Sequence, residues 1–334
     1  MTRSLRIAFL GNDRWSVPSL LALSDSDHEL VAVVTAVPRP AGRGNELRPT
    51  PVAKAARATR LPLVEAETVK EGPGRDALAA SRPDLLVVVA YGEILPQAVL
   101  DLPRVAPVNL HFSMLPALRG ASPVQTALLL GLEETGVTTI VMDAGMDTGP
   151  VILQRAERIE PKDDSGSLGS RLATIGAEVL VESAERLASG TAQPRPQDET
   201  VATFTMRIGP DDRLLRWTSR ARDLVNLTRA MAPEPGASTT FRGQDLKVLR
   251  AEAVHASGEA GTVVEATKEG FAVGTGEGGF RPLELALAGR KRMTSSDFVN
   301  GFHPALGERL DGGLSQPRFP RPNEGVPWHG VSLR

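Results

Sequence analysis

Hydrophobic positions in the first half of the chain fall in short unbroken runs. Arg6–Leu10, Leu30–Thr35 (LVAVVT) and Leu85–Ala90 (LLVVVA) are such runs, with a shorter one at Pro107–His111. Continuous runs rich in β-branched residues predict strands buried on both faces. Helix-like stretches separate them: SVPSLLAL after Gly11, Pro51–Thr59, Leu95–Leu100 and Ser122–Leu130. Val137–Met142 and Val151–Arg158 add two more strands. A long amphipathic segment follows, with Ser165 and Ser189 as its outer limits. Strand and helix in alternation predict an α/β domain over residues 1–190, built on an open, mostly parallel, Rossmann-like sheet.

The pattern then changes. Residues 191–205 begin TAQPRPQDETVA, polar and without period, and predict a linker. A helix around Ala221–Met231 is followed by short strands broken by glycines: STTF, LKVLRAEAV, GTVVEA, GFAVGTG and FRPLELAL. That spacing predicts a small OB-like β-barrel over 206–310. TSSDFVNG at 294–301 reads as a capped last helix. The tail, 311–334, is rich in Gly and Pro and is expected to be irregular.

Composition narrows the chemistry. The 334 residues, 41% of them hydrophobic, are enough for two cores. A formal net charge of −2 means that a nucleic-acid partner would be met by local basic segments. The absence of cysteine excludes disulfides, thiolate zinc sites and cysteine nucleophiles, and five scattered histidines form no zinc pattern, so no metal is expected. The N-terminus reads as a first strand, not a signal peptide, and Leu85–Ala90 is far short of a membrane helix. A cytoplasmic protein is expected, with no membrane contact, and a monomer. Gly11-Asn12-Asp13 follows the first strand without a G-x-G-x-x-G, which argues against a nicotinamide site.

One constellation carries chemistry: Asn109-Leu-His111-Phe-Ser113-Met114-Leu115-Pro116, then Arg119-Gly120, then Asp143-Ala-Gly-Met-Asp147-Thr-Gly149. Asn109 and His111 alternate along a strand, so both point to one side, at the carboxyl end where open α/β sheets bind ligands. Asp147 sits in a glycine-flanked loop that can bring a carboxylate over the sheet edge. Ser113 lacks the strand–turn–helix elbow of a serine nucleophile, so direct acyl transfer to an amine is the natural reaction. Asn109 and a protonated His111 would stabilise the oxyanion of a tetrahedral intermediate, where one donor is typically worth about 10²–10³ in rate. Asp147 would hold the imidazole or a proton-carrying water. An isolated Asn-x-His can instead merely satisfy loop backbone groups, and Asp-Thr-Gly can be only a turn.

NLHFSMLPALRGASPVQTALLLG followed by MDAGMDTGPVILQ resembles the folate-dependent formyltransferases. The resemblance runs from about Arg6 to Leu310 and is strongest at 85–155. It implies that Asn109, His111 and Asp147 are the catalytic trio, and that Ser113, Met114, Leu115 and Pro116 line a site for 10-formyltetrahydrofolate. It further implies that Tyr91, Gly92, Ile94 and Leu95 form a wall near the pterin, with Asp143 beside them. Pro38-Arg39-Pro40-Ala41-Gly42-Arg43-Gly44, with ATFTMRI, RDLVNLTRAM, PEPGASTTFRG and KRMTSSDFVNG, is similar to the methionyl-tRNA formyltransferases. The implied acceptor is then the α-amine of initiator methionyl-tRNA, with Arg39 and Arg43 touching the tRNA.

Charge agrees locally. Arg39, Arg43, Arg48, Lys54, Arg57 and Arg60 lie between Val37 and Leu61 against Glu46 alone, and Arg290-Lys291-Arg292 form a second cluster. Such loops can grip phosphates, although a charge run by itself is more often a solvated face. The chain departs from the family pattern at Asn12–Trp15, at Asn45-Glu46, at Phe112 beside the histidine, and in PGAST and TMRIGPDDRLLRW, which lack a tryptophan and lysines common there. Competing readings are formylation of a nucleotide-linked amino sugar, a folate-occupied RNA-binding protein without turnover, hydrolysis of the same folate, and an oxidoreductase on a nucleotide-binding sheet. The basic loop argues against the first and the intact trio against the second. The third usually comes with a regulatory domain, and the last has no motif behind it.

Overall fold

The computed structural model describes residues 4–41 and 46–312. Its first part runs β1 (Arg6–Gly11), α1 (Val17–Ser24), β2 (Glu29–Ala36), β3 (Arg39–Ala41), β4 (Glu46–Arg48), α2 (Pro51–Ala58), β5 (Leu63–Ala66), α3 (Gly72–Ser81), β6 (Leu85–Val89), α4 (Gln97–Leu100), β7 (Ala106–His111), β8 (Arg119–Gly120), α5 (Pro123–Leu129), β9 (Glu134–Val141), β10 (Val151–Arg158) and α6 (Ser165–Ala188). Seven strands form one sheet in the order β10-β9-β7-β6-β1-β2-β5. The strands from β7 to β5 are parallel, while β9 and β10 are added antiparallel at one edge. The expected mostly parallel sheet is therefore present. All five residues of β6 are buried, as its unbroken apolar run requires. The chain leaves β1 in opposite directions, to β2 and to β6, so the ligand crevice of such a sheet opens at the carboxyl ends of β1 and β6.

Local chemistry explains most boundaries. Thr50 caps α2, its hydroxyl accepting the Ala53 N–H at 3.0 Å, with Pro51 in the first turn. Asp164 and Ser167 form a capping box at the start of α6. α4 is shorter than its pattern suggests and starts at Gln97, because the residue before a proline disfavours helix and Leu95 precedes Pro96. The hydrophobic pattern did not reveal β3, β4, β5 or α3. β5 is four residues long, and α3 opens with Gly-Pro-Gly, which reads as a turn.

The second part holds β11 (Phe204–Thr205), α7 (Ala221–Met231), β12 (Ala237–Phe241), β13 (Gln244–Val254), β14 (Val263–Thr267), β15 (Gly270–Gly274), β16 (Gly279–Leu287), β17 (Met293–Thr294), α8 (Ser295–Phe302) and β18 (Leu310–Asp311). The sheet order is β14-β15-β16-β13-β12-β18, antiparallel throughout. Its two edges meet: Leu310 N–H donates to Gly261 O and Val263 N–H to Glu308 O, both at 2.8 Å. The sheet thus curls into a small barrel with no long free edge. Thr294 and Asp297 make the capping box predicted for α8.

One hydrophobic core runs from the sheet domain into the barrel and includes Leu110, Leu128, Leu224 and Trp217. Polar ties reinforce the junction. The Arg229 guanidinium on α7 donates to Asp163 O at 2.7 Å and Glu160 O at 2.9 Å, and the Ser165 hydroxyl donates to Ala232 O at 2.6 Å. No helix among the described residues is long and apolar enough to cross a membrane.

Candidate active site

β7 ends in the middle of the sheet, and Asn109 and His111 leave it on the same face. The loop between β9 and β10 returns over that edge and places Asp147 against both. Asn109 Nδ2 lies 3.4 Å from Asp147 Oδ1, and His111 Nδ1 lies 3.5 Å from Asp147 Oδ2. His111 is 6% exposed, and its Nε2 faces Leu118 O at 2.9 Å. Both ring nitrogens thus face oxygen atoms, Nε2 at hydrogen-bond distance and Nδ1 more loosely. The Asp147 carboxylate also accepts the Gly120 N–H at 2.8 Å. The three side chains singled out by sequence therefore meet in space.

Backbone strain gathers here too. Asp147 (φ 56°), Leu118 (φ 60°) and Ala90 (φ 44°) are non-glycine residues in the left-handed region, at the site or at the end of β6 beside it. Such conformations persist where surrounding contacts impose them.

The contacts at Leu118 and Asp147 come from the segment expected to be a linker. Thr203 O accepts the Arg119 N–H at 2.9 Å, and the Thr203 and Thr205 hydroxyls accept the N–H groups of Leu118 and Ser122 at 2.8 and 3.1 Å. β11 pairs with β8 in register. Arg119, completely buried, donates to both carboxylate oxygens of Glu199 at 2.7 Å and to Gln197 Oε1 at 2.8 and 3.2 Å. The hydrogen bond from Arg119 holds the Glu199 carboxyl below the ordinary carboxylate range. Gln197 in turn donates to the carbonyls of Asp147 (2.7 Å) and Gly149 (2.8 Å). Sequence reasoning left Gln197 and Glu199 unassigned.

The residues expected to line the folate site divide into two sets. Gly92 and Ile94 lie exposed at the crevice, Ile94 by 74%. Met114 and Pro116 are half-buried. The side chains of Tyr91 and Leu95 point into the core beyond β6, and Leu115 packs with Ile140 and Val151, so these three can offer a ligand only backbone groups. Burial, then Glu93, pushes the Tyr91 phenol up to about 12. Ser113 is spent on structure: its hydroxyl donates to Ala117 O at 2.5 Å and its carbonyl accepts from Thr138 at 2.7 Å. Asp143 is exposed and caps its own loop, accepting Gly145 N–H at 3.0 Å and the Thr148 hydroxyl at 2.6 Å.

The departures at Asn12–Trp15 also have a physical role. Asn12 accepts from Thr35 at 2.9 Å and from Ala36 N–H at 2.7 Å and donates to Tyr91 O, joining the ends of β1, β2 and β6. Trp15 packs edge-on against Phe112, centroids 6.0 Å apart.

A cleft of about 870 Å³ opens between the two domains, with Gly92, Ala121 and Gln125 on one wall and Arg207, Arg213 and Glu234 on the other. Arg39 lies exposed on β3, directly across from Arg48 on β4. Arg43 falls outside the described residues. Arg57 meets Glu65 at 2.6 Å and Arg292 meets Glu284 at 3.3 Å, so part of the local charge excess is balanced. Among the described residues no group of acidic and histidine side chains is arranged to hold a metal.

Comparison with known proteins identifies the family. Residues 5–184 match the family described as formyl transferase, and residues 207–303 its C-terminal domain. The methionyl-tRNA formyltransferase of Pseudomonas paraeruginosa is 42% identical over 296 residues, covering 89% of this chain and 96% of its own. That of Stutzerimonas stutzeri is 41% identical over 310 residues, covering 92% and 99%. Among solved structures, a variant of HypX from Aquifex aeolicus superposes with a TM-score of 0.63 at 19% identity, over 92% of this chain, which spans 49% of that one. The sugar 3N-formyl transferase WlaRD gives 0.62 at 17% identity, over 86% of this chain and 100% of its own. These two likenesses establish the fold alone. The sequence matches establish the family: the chain belongs to the formyl transferases, among relatives named methionyl-tRNA formyltransferase.

Proposed function

We propose that this protein transfers the formyl group of 10-formyltetrahydrofolate to the α-amine of methionine on initiator tRNA. The observation that carries the chemistry is the convergence of Asn109 and His111 on Asp147, with the Asp147 carboxylate fixed by the Gly120 N–H. The neutral amine attacks the formyl carbon and a tetrahedral intermediate forms. Asn109 donates to its oxyanion, the Nδ1 edge of His111 leaves its loose 3.5 Å contact with Asp147 to do the same, and Asp147 assists removal of the amine proton. The bond from the formyl carbon to the folate nitrogen then breaks, and that nitrogen takes up a proton. Gly92 and Ile94, with the backbone of Tyr91 and Leu95, form the wall for the pterin, and Met114, Pro116 and Asp143 border the same crevice.

The curated relatives' names support the tRNA acceptor. So does the exposed Arg39–Arg48 pair, because like charges directly opposed across a hairpin cost stability unless a polyanion meets them. The enzyme acts as a cytoplasmic monomer.

An acceptor competition assay tests the reading. 10-Formyltetrahydrofolate is offered with charged initiator tRNA, charged elongator methionine tRNA and a panel of nucleotide-linked amino sugars. Selective formylation of the initiator is expected, and formylation of a sugar alone would overturn the acceptor assignment. His111→Ala should abolish turnover while folate still binds. Loss of folate binding as well would mean that His111 builds the pocket instead.

A further inference from the structure

We propose that Gln197, on the segment joining the two domains, is a positioning residue for formyl transfer that sets the Asp147 loop. The inference rests on the catalytic role given to Asp147 above. The Gln197 amide uses both ends on one task. Its two N–H groups donate to the carbonyls of Asp147 and Gly149, on either side of Thr148, at 2.7 and 2.8 Å. Its oxygen accepts from Arg119 at 2.8 and 3.2 Å. An amide engaged at all of these positions has little freedom to rotate. Arg119 immediately precedes Gly120, whose N–H grips the Asp147 carboxylate at 2.8 Å. One network therefore holds Asp147 at its main-chain carbonyl through Gln197 and at its side chain through Gly120.

The remainder of the loop leaves this task to Gln197. Its entry is closed by Asp143 on Gly145 and Thr148, and its exit is pressed against β9, where a Cβ on Gly149 would stand 1.8 Å from Val141 O. Between these anchors Asp147 adopts φ 56°. That left-handed conformation turns its carbonyl to Gln197 and its carboxylate back toward Asn109 and His111. The side chains that meet Asp147 do so at 3.4 and 3.5 Å, so a small drift of the loop breaks both contacts.

The test is a double-substitution cycle in the full-length protein: Gln197→Met, which keeps the length and removes the hydrogen bonds, Asp147→Asn, and both together. Single-turnover formylation rate, KM for the folate and melting temperature are measured. Gln197→Met should slow turnover by about tenfold to a hundredfold, the scale of an ångström's misplacement, with KM for the folate changed less than about twofold. In the Asp147→Asn background the same change should cost less than about twofold, since a residue acting through Asp147 has little left to act on. Gln197→Asn, which keeps the amide but shortens its reach, should be intermediate and gives the same comparison if the methionine variant fails to fold. A Gln197 variant as fast as the wild type while Asp147→Asn is slow overturns the proposal. So do losses that multiply in the double variant. An Asp147→Asn enzyme that is itself fast would instead overturn the parent assignment of Asp147.

Discussion

Gly169 on α6 faces the Trp15 indole, and Gly169→Ala tests how tightly that contact is packed. An added Cβ would lie 2.1 Å from Cζ2 and 2.2 Å from Cε2 of Trp15. Carbon atoms settle at about 3.5–4.0 Å, so either the ring or the helix must move by more than an ångström. The indole has little room, because it also meets Phe112, the neighbour of His111, edge-on at 6.0 Å. Overpacking of this kind costs about 1–3 kcal/mol, whereas replacing a mid-helix glycine by alanine returns roughly 0.5–1 kcal/mol. The net expectation is a loss of about 1–2 kcal/mol, or roughly 1.5–3 °C in melting temperature for a protein of this size. Turnover should fall with it, since the displaced ring pushes Phe112 against the strand that carries Asn109 and His111. Calorimetry and urea titration read the first effect and a formylation assay the second. Trp15→Phe in the same chain vacates the space, so the double variant should recover much of the loss. A Gly169→Ala protein as stable as the wild type would refute the reasoning, for it would mean that helix and indole do not touch as described.

Three further outcomes follow from the same geometry. The Glu199 carboxyl lies below its ordinary value because Arg119 donates to it. The unfolded chain therefore takes up that proton first, and the stability from this pair is present above about pH 4.5 and is lost as the pH falls through the folded value. Urea titrations from pH 6 downward should show this decline in the wild type, and Glu199→Gln should flatten it. Tyr91→Phe should leave the pH profile of turnover unchanged up to about pH 10, because the buried phenol, pushed up to about 12, stays neutral over that range. A profile that loses a limb would assign the phenol a role in catalysis. Arg229→Ala removes two charged hydrogen bonds to backbone carbonyls of the sheet domain and should cost about 2–3 kcal/mol, read as a lower urea midpoint for the junction.

The core and the order of elements were legible because burial is written in apolar period. The runs at 30–35, 85–90 and 151–158 became strands within a residue or so, and Ala221–Met231 became a helix with the bounds expected. The meeting of Asn109, His111 and Asp147 in space was legible because the first two share a strand face and Asp147 lies in a loop rich in glycine. What escaped were elements without an apolar signature. The β3–β4 hairpin is polar and exposed, β5 is short, and α3 begins in residues that usually break helices. Burial of the Tyr91 and Leu95 side chains was also out of reach, because a strand end gives no hint of which side its next residue takes.

The segment from Gln197 to Thr205 shows why the geometry of the site is harder to read than the fold. It looks like a linker because it is polar and has no apolar repeat. Yet Gln197, Glu199, Thr203 and Thr205 occupy alternate positions, interrupted at Val201, and all four face the chain at 118–122 or the Asp147 loop. The pattern is written in hydrogen-bonding residues and not in one strand: Glu199–Val201 make a single 3-10 turn, and Phe204–Thr205 alone pair as β11. Physical economy explains the choice. Apolar contact is non-directional, so it can hold a segment down without fixing how a carbonyl is turned. A hydrogen bond weakens steeply off axis and therefore fixes angle as well as distance. A carboxylate that must stand between an amide and an imidazole needs that angle fixed. A polar segment at a domain junction, aimed at a loop that bears a carboxylate, is thus itself a signal of a site.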